Sequence, residues 1–188
     1  MNRLRLAVLA LVLGLTGCGD TVNVDAADAT APTVSLDVAG IPLQAGASSQ
    51  PNPETIDASC CDVTRTVAAN TRLDFLAPVR DAESGVARAQ IWQDLRITCV
   101  DPATDMATTT GPSSSQMASV GSAPTATPPA TAPSQRIAQA SRTIGDLGGC
   151  APGEERHIEL VVWAEGTNHA GLTARSKKIT FKLEPGAG

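Results

Sequence analysis

Apolar and polar residues alternate with a period of two in five stretches of the chain. In "TVSLDVAG", residues 33–40, Val34, Leu36 and Val38 fall on one side and Ser35 and Asp37 on the other. "TRLDFLAPV", residues 71–79, sets Leu73, Phe75 and Ala77 against Arg72 and Asp74. "GVARAQIWQ", residues 85–93, sets Ala87, Ala89 and Ile91 against Arg88, Gln90 and Trp92. "HIELVVWAE", residues 157–165, sets Ile158, Leu160, Val162 and Ala164 against His157, Glu159 and Trp163. "KITFKLE", residues 178–184, sets Ile179, Phe181 and Leu183 against Lys178, Thr180 and Lys182. Successive side chains of a strand point to opposite faces, so each stretch predicts a strand with one dry and one wet face. Such strands suit antiparallel sheets packed face to face. Beyond the leader no stretch has a helical period.

Turn signals lie between these strands: "RDAESG" at 80–85 and "EGTNHAG" at 165–171. Residues 106–135, "MATTTGPSSSQMASVGSAPTATPPATAPSQ", have no charge and almost no bulky side chain. Such a segment has too little apolar surface to offset its ordering entropy, which predicts a disordered insertion with polyproline character. "RIAQASRTIGDLGG", at 136–149, offers one more edge strand. At the other end, residues 19–32 have no basic residue and little apolar content. They read as a flexible tether with a reach of about 20 Å.

The chain begins "MNRLRLAVLALVLGLTGCGD": two arginines, then an apolar run from Leu6 to Leu15. At 1.5 Å per residue that run crosses about half of a ~30 Å hydrocarbon core, so it is a secretory signal rather than a spanning helix. Leu15, Thr16, Gly17 and Cys18 complete it. The segment resembles a bacterial lipoprotein signal peptide. The resemblance implies cleavage before Cys18, a diacylglycerol thioether on its sulfur, and acylation, commonly palmitate, of its new N-terminus. Two or more acyl chains anchor stably where one holds marginally. Gly19 in place of Asp after that cysteine points, by the sorting rule of enteric bacteria, to the outer membrane. Loss of residues 1–17 removes Arg3 and Arg5, so the formal charge moves from −5 to −7, twelve basic residues against nineteen acidic. An acidic chain without a Lys/Arg cluster is not built for nucleic acid. The expected partners are the bilayer, through Cys18, and an unknown protein or glycan.

The stretches "DATAPTVSL", "APVRDAESGVARAQIW" and "HIELVVWAEGTNHAGLTARSKKITFKL" resemble bacterial immunoglobulin-like domains. Asp81, Ser84, Gly85 and Val86 match that family's Asp-x-x-Ser-Gly-Val turn. The resemblance implies an all-β, antiparallel immunoglobulin-like sandwich over 33–188, with the low-complexity insertion at about 101–135. The chain departs from an antibody domain in lacking the cysteine pair inside the strands that the resemblance makes B and F.

Five cysteines are present: Cys18, Cys60, Cys61, Cys99 and Cys150. Lipid on Cys18 leaves four, and in the resembled topology all four gather at the pole opposite the Asp81 turn. Three connectivities are open. Cys60 and Cys61 point opposite ways on extended chain and pair separately with Cys99 and Cys150, or Cys99 pairs with Cys150 around the insertion and the adjacent pair is free or bonded together. A four-thiolate zinc site is disfavoured by export and by the absence of a CxxC spacing.

The two histidines, His157 and His169, lie in no catalytic or metal motif, and Asp81 and Glu83 offer too few ligands for calcium. The expectation is a protein that is not an enzyme and carries no cofactor or metal. Trp92 and Trp163 stand on the polar side of neighbouring strands, which places them on one outer sheet face. Either they form an exposed binding face, with Arg88 at cation–π range of Trp163 and the indoles offset along the strands, or other parts of the chain cover them. The functions that follow are an anchored binding or structural module, a carbohydrate-binding module using the two tryptophans, or an accessory or inhibitor of an envelope enzyme.

Overall fold

The computed structural model describes residues 20–41, 54–57 and 62–183, with only the backbone path for 40, 41 and 54–57. Cys18, Cys60 and Cys61 therefore lie outside the residues whose side chains are described, as does the leader.

The described residues form thirteen strands. They are β1 (Thr21–Asn23), β2 (Thr33–Val34), β3 (Asp37–Ile41), β4 (Glu54–Asp57), β5 (Val63–Val67), β6 (Arg72–Arg80) and β7 (Val86–Asp101). They continue with β8 (Met106–Gly121), β9 (Thr131–Pro133), β10 (Gln135–Thr143), β11 (Glu155–Asn168), β12 (Thr173–Arg175) and β13 (Ile179–Leu183). One sheet runs β10-β6-β3-β4, with β2 also on β6; the facing sheet runs β5-β13-β11-β7-β8, with β12 on β11. Pairing is antiparallel except between β13 and β5. This is an immunoglobulin-like sandwich: β3, β6 and β10 take the places of strands A, B and E, and β7, β11 and β13 those of C, F and G, with β8 added beside C.

The period-two stretches build its core. Leu73, Phe75, Ala77 and Val79 project from β6 onto Ile158, Leu160, Val162 and Ala164 of β11, with Ile179, Phe181 and Leu183 beside them. Phe75 and Phe181 meet edge to face at 6.1 Å, the arrangement favoured by the ring quadrupoles. Small residues fill the rest, so the sheets approach closely. A Cβ on Gly166 would come within 2.4 Å of Val79 Cγ1.

Three expectations are corrected. Residues 106–121 are not disordered: they form β8, hydrogen-bonded to β7 from Asp101/Met106 to Arg88/Gly121. The turn that starts it lies just before the low-complexity stretch. Asp101 Oδ1 accepts the Ala103 N–H, its Oδ2 accepts the Thr104 hydroxyl, and its carbonyl accepts the Asp105 N–H at 2.8 Å. Closing so short a loop costs little entropy, and an edge strand needs hydrogen bonds to its neighbour more than it needs a core. Gly111 and Pro112, which supplies no N–H, sit in the irregularity between Leu95/Ser113 and Ile97/Thr110. Gly111 has φ 95°, and a Cβ there would meet the Leu95 carbonyl at 2.3 Å. Met117, the extra residue between two β7 partners, turns onto the core.

Residues 20–32 are not a loose tether. β1 pairs antiparallel with β9, and Val22 and Ala132 lie against Gly85. The open site at Gly85, where a Cβ would meet Ala132 Cβ at 2.7 Å, admits this packing.

The expected pairing of Cys60 and Cys61 with Cys99 and Cys150 is overturned: Cys99 is bonded to Cys150, with Cα atoms 5.5 Å apart, joining the end of β7 to the turn before β11 and leaving neither sulfur for the adjacent pair. The bridge spans 51 positions of sequence. In the chain-entropy model a loop of that length contributes about 4 kcal/mol. The double variant Cys99→Ser/Cys150→Ser should lose stability of that order in urea unfolding. An unchanged midpoint would show that the packed hairpin already holds this end.

Candidate binding face

The outer face of the larger sheet is a grid set by strand register. On β7, Arg88, Gln90 and Trp92 share one side, and β11 places Thr167, Glu165 and Trp163 directly opposite them. On the far side of β7 stand Gly121, Ser119 and Gln116 of β8. Beyond β11, Arg175 of β12 pairs with Glu165 at 2.7 Å.

The tryptophans are thus not offset along the face: Trp92 and Trp163 are direct cross-strand partners. Their rings stack with an interplanar angle of 10° and centroids 6.5 Å apart. β7 and β11 pair without a shift from Val100 to Arg88, which leaves no offset between them. The cation near Trp163 is Lys178, with Nζ 5.1 Å from the ring centroid, rather than Arg88. Arg88 lies opposite Thr167, two rungs nearer the Asp81 turn than the indoles. Trp163 is buried, 9% exposed, with Trp92 and Lys178 beside its ring; Trp92 is half-buried. Gln90, 3% exposed, donates to Gln116 Oε1. Arg88 Nε, Trp92 Nε1 and Trp163 Nε1 are buried without a hydrogen-bond partner among the described residues. Long neighbours crowded on a pleated surface close this face over themselves.

At the far end of the same face Glu159 lies between Arg96 and Lys182, at 3.7 and 3.8 Å. His157 stands 3.9 Å from Glu155 and is half-buried. The Cys99–Cys150 sulfurs lie within 4.8 Å of the Glu154 carboxylate. Once bonded to each other they offer no thiolate, and Glu154 Oε2 accepts the Ala151 N–H instead.

The turn pole holds a group that the sequence reading only half located. Asp81 is buried, and its Oδ1 accepts the N–H groups of Glu83, Ser84 and Gly85, so it shapes the turn. Glu83 remains exposed. Asn168 Nδ2 donates towards Asp81 Oδ2 at 3.0 Å and towards Asp28 Oδ2 and the Thr30 carbonyl, each at 3.1 Å. Ser84 donates to Asp28 Oδ2 at 2.7 Å. Asp28 was missed because it lies in a polar run with no strand period. Its signal was the Asx turn it makes with Thr30 N–H. That backbone bond, followed by the Ser84 hydroxyl, holds the Asp28 carboxyl below its ordinary value. Burial, aided by Arg136, lowers the pKa of His169, whose Nδ1 is buried without a partner among the described residues.

Two outcomes follow. In a Trp92→Phe variant the remaining Trp163 should emit to the blue and resist iodide; red-shifted, fully quenched emission would mean that the ladder opens in solution. In acid, stability should fall in two windows. His169, depressed in the fold, makes folding cost more as pH drops below the unfolded value of about 6.5. Asp28, also depressed, contributes stability that is complete above its unfolded value, near 4, and is lost as pH falls through its lower folded value. Asp74, held low by the Ser141 hydroxyl, and Asp101, held low by the Ala103 N–H, share the lower window, so Asp28→Asn should shrink that window and leave the His169 window unchanged, read from urea midpoints against pH.

No protein-family model matches the chain and no curated protein matches it, so the reading of this face rests on its own residues.

Proposed function

We propose that the protein is a non-enzymatic lipoprotein of the bacterial cell envelope, an immunoglobulin-like module held to the membrane by acyl chains on Cys18, that binds a protein or serves as a structural module. The observation that carries the reading is the Cys99–Cys150 disulfide, which belongs in an oxidising compartment outside the cytoplasm. That agrees with the charged, apolar and cysteine-terminated leader, "MNRLRLAVLALVLGLTGC". The outer membrane is the expected address because Gly19 follows the cysteine.

The polar groups that would interest an enzymologist have structural tasks. Asp81 shapes a turn, Glu165 pairs with Arg175, and Glu159 lies between two cations. The tryptophans favour a protein partner or a structural role over a sugar platform. A sugar ring stacks on an open aromatic face, whereas Trp163 is buried against Trp92 and Lys178.

Cys18→Ser should move the protein from the membrane fraction to the soluble envelope fraction and abolish incorporation of labelled palmitate. A variant that stays in the membrane, or a wild-type N-terminus that is free and lies beyond residue 18, would refute the anchor.

A further inference from the structure

Strand β8 is an edge. It pairs with β7 on one side and with no strand on the other among the described residues. It is sixteen residues long, and every residue from Met106 to Gln116 is exposed. Long exposed edges invite pairing with other chains, and proteins commonly blunt them with lysine or other charges. Here no charged residue occurs from Met106 to Gln135. Pro112 interrupts the edge only once.

In place of charge this segment carries hydroxyls. Thr109, Ser114 and Ser115 bond back to β7 through Thr98, Asp94 and Gln93. Thr108, Thr110, Ser113, Ser119, Ser122 and Thr127 are exposed and make no side-chain hydrogen bond among the described residues. Apart from Thr109 and Val120, the residues flanking them are Ala, Gly, Pro and Ser, none with a long side chain. Ser/Thr-rich sequence with proline is the composition of O-glycosylated stalks. Here it is held extended, with one edge open to another protein's strand or cleft.

We infer that the hydroxyls of β8 and the following loop, over residues 108–127, are acceptors for O-linked sugar. The donor is a phosphate-activated sugar, nucleotide- or polyprenyl-linked. The Ser or Thr oxygen bonds to the anomeric carbon, the bond from that carbon to the donor phosphate breaks, and the phosphate leaves with the electron pair. The hydroxyl proton passes to a base of the transferase. Sugars on this strand supply what its sequence lacks, a hydrated and bulky edge that no second strand can pair with.

The inference rests on the export reading above. The test is the intact mass of the full-length protein purified from the envelope of its own host, with fragmentation that retains side-chain adducts. The expected result is mass beyond polypeptide and acyl chains in whole sugar residues, removable by β-elimination and located within 108–127. Alanine at Thr108, Thr110, Ser113, Ser119, Ser122 and Thr127 should remove most of it. An envelope protein with the mass of polypeptide plus lipid, sugar located elsewhere, or unchanged added mass in the alanine variant would overturn the inference. A protein confined to the cytoplasm would overturn the export reading, and this inference with it.

Discussion

From Glu155 with Val100 to Asn168 with Val86, β11 and β7 are joined by a ladder that shifts only at its last step. Side chains alternate across a strand, so this one register decides both faces at once. It sends Ile158, Leu160, Val162 and Ala164 inward with Ala89 and Ile91, and it sends Trp163 and Glu165 outward against Trp92 and Gln90. A slip of one residue would turn a tryptophan into a core already filled by Phe75, Phe181 and the aliphatic residues around them. The ladder also fixes the two poles. Cys99, opposite Arg156, brings β7 to the turn that holds Cys150, and Asn168 brings β11 to the Asp81 turn.

The Asn168 pole shows how a chain poor in large side chains is tied together. One carboxamide nitrogen faces acceptors from two distant segments, Asp81 before β7 and Asp28 with Thr30 near the start of the domain. Its own oxygen accepts the Leu172 N–H and shapes the turn that follows β11. Asn168 and Asp81 are buried, where a hydrogen bond left unmade costs more than one made contributes. The outcome is conformational definition: the segment before β2, the β6–β7 turn and the β11–β12 turn occupy one arrangement because each completes the others.

The legible parts of the sequence were those where burial acts on alternate residues. β6, β11 and β13 follow their period-two patterns through the core positions, and Phe75 and Phe181 stand where the pattern placed them. β8 was illegible by the same criterion, because an edge strand exposed on both faces leaves no apolar alternation to read. The Asp101–Asp105 turn was its only local mark. Asp28 was illegible for a related reason. Its partners lie 56 and 140 positions away, and no local pattern records a contact at that distance. The tryptophans were half legible: their side of the sheet follows from parity, but their direct pairing depends on register. Register between strands separated by an insertion is set by the whole core rather than by either strand.

The two outward surfaces of the larger sheet therefore differ in kind. Its broad face closes on itself: Gln116 with Gln90, Trp92 with Trp163 and Lys178, Glu165 with Arg175. A ligand there would have to break those pairs before making its own, and each pair is held by strands whose register the core fixes. The β8 edge has no such commitment. Its outer backbone groups and the hydroxyls of Thr108, Thr110, Ser113 and Ser119 face solvent, and substitution at those four positions leaves the core untouched. Association or modification costs least where native pairs need not be broken, and the hairpin edge has fewer such pairs than the broad face. The sheet behind it is the rigid support that presents it.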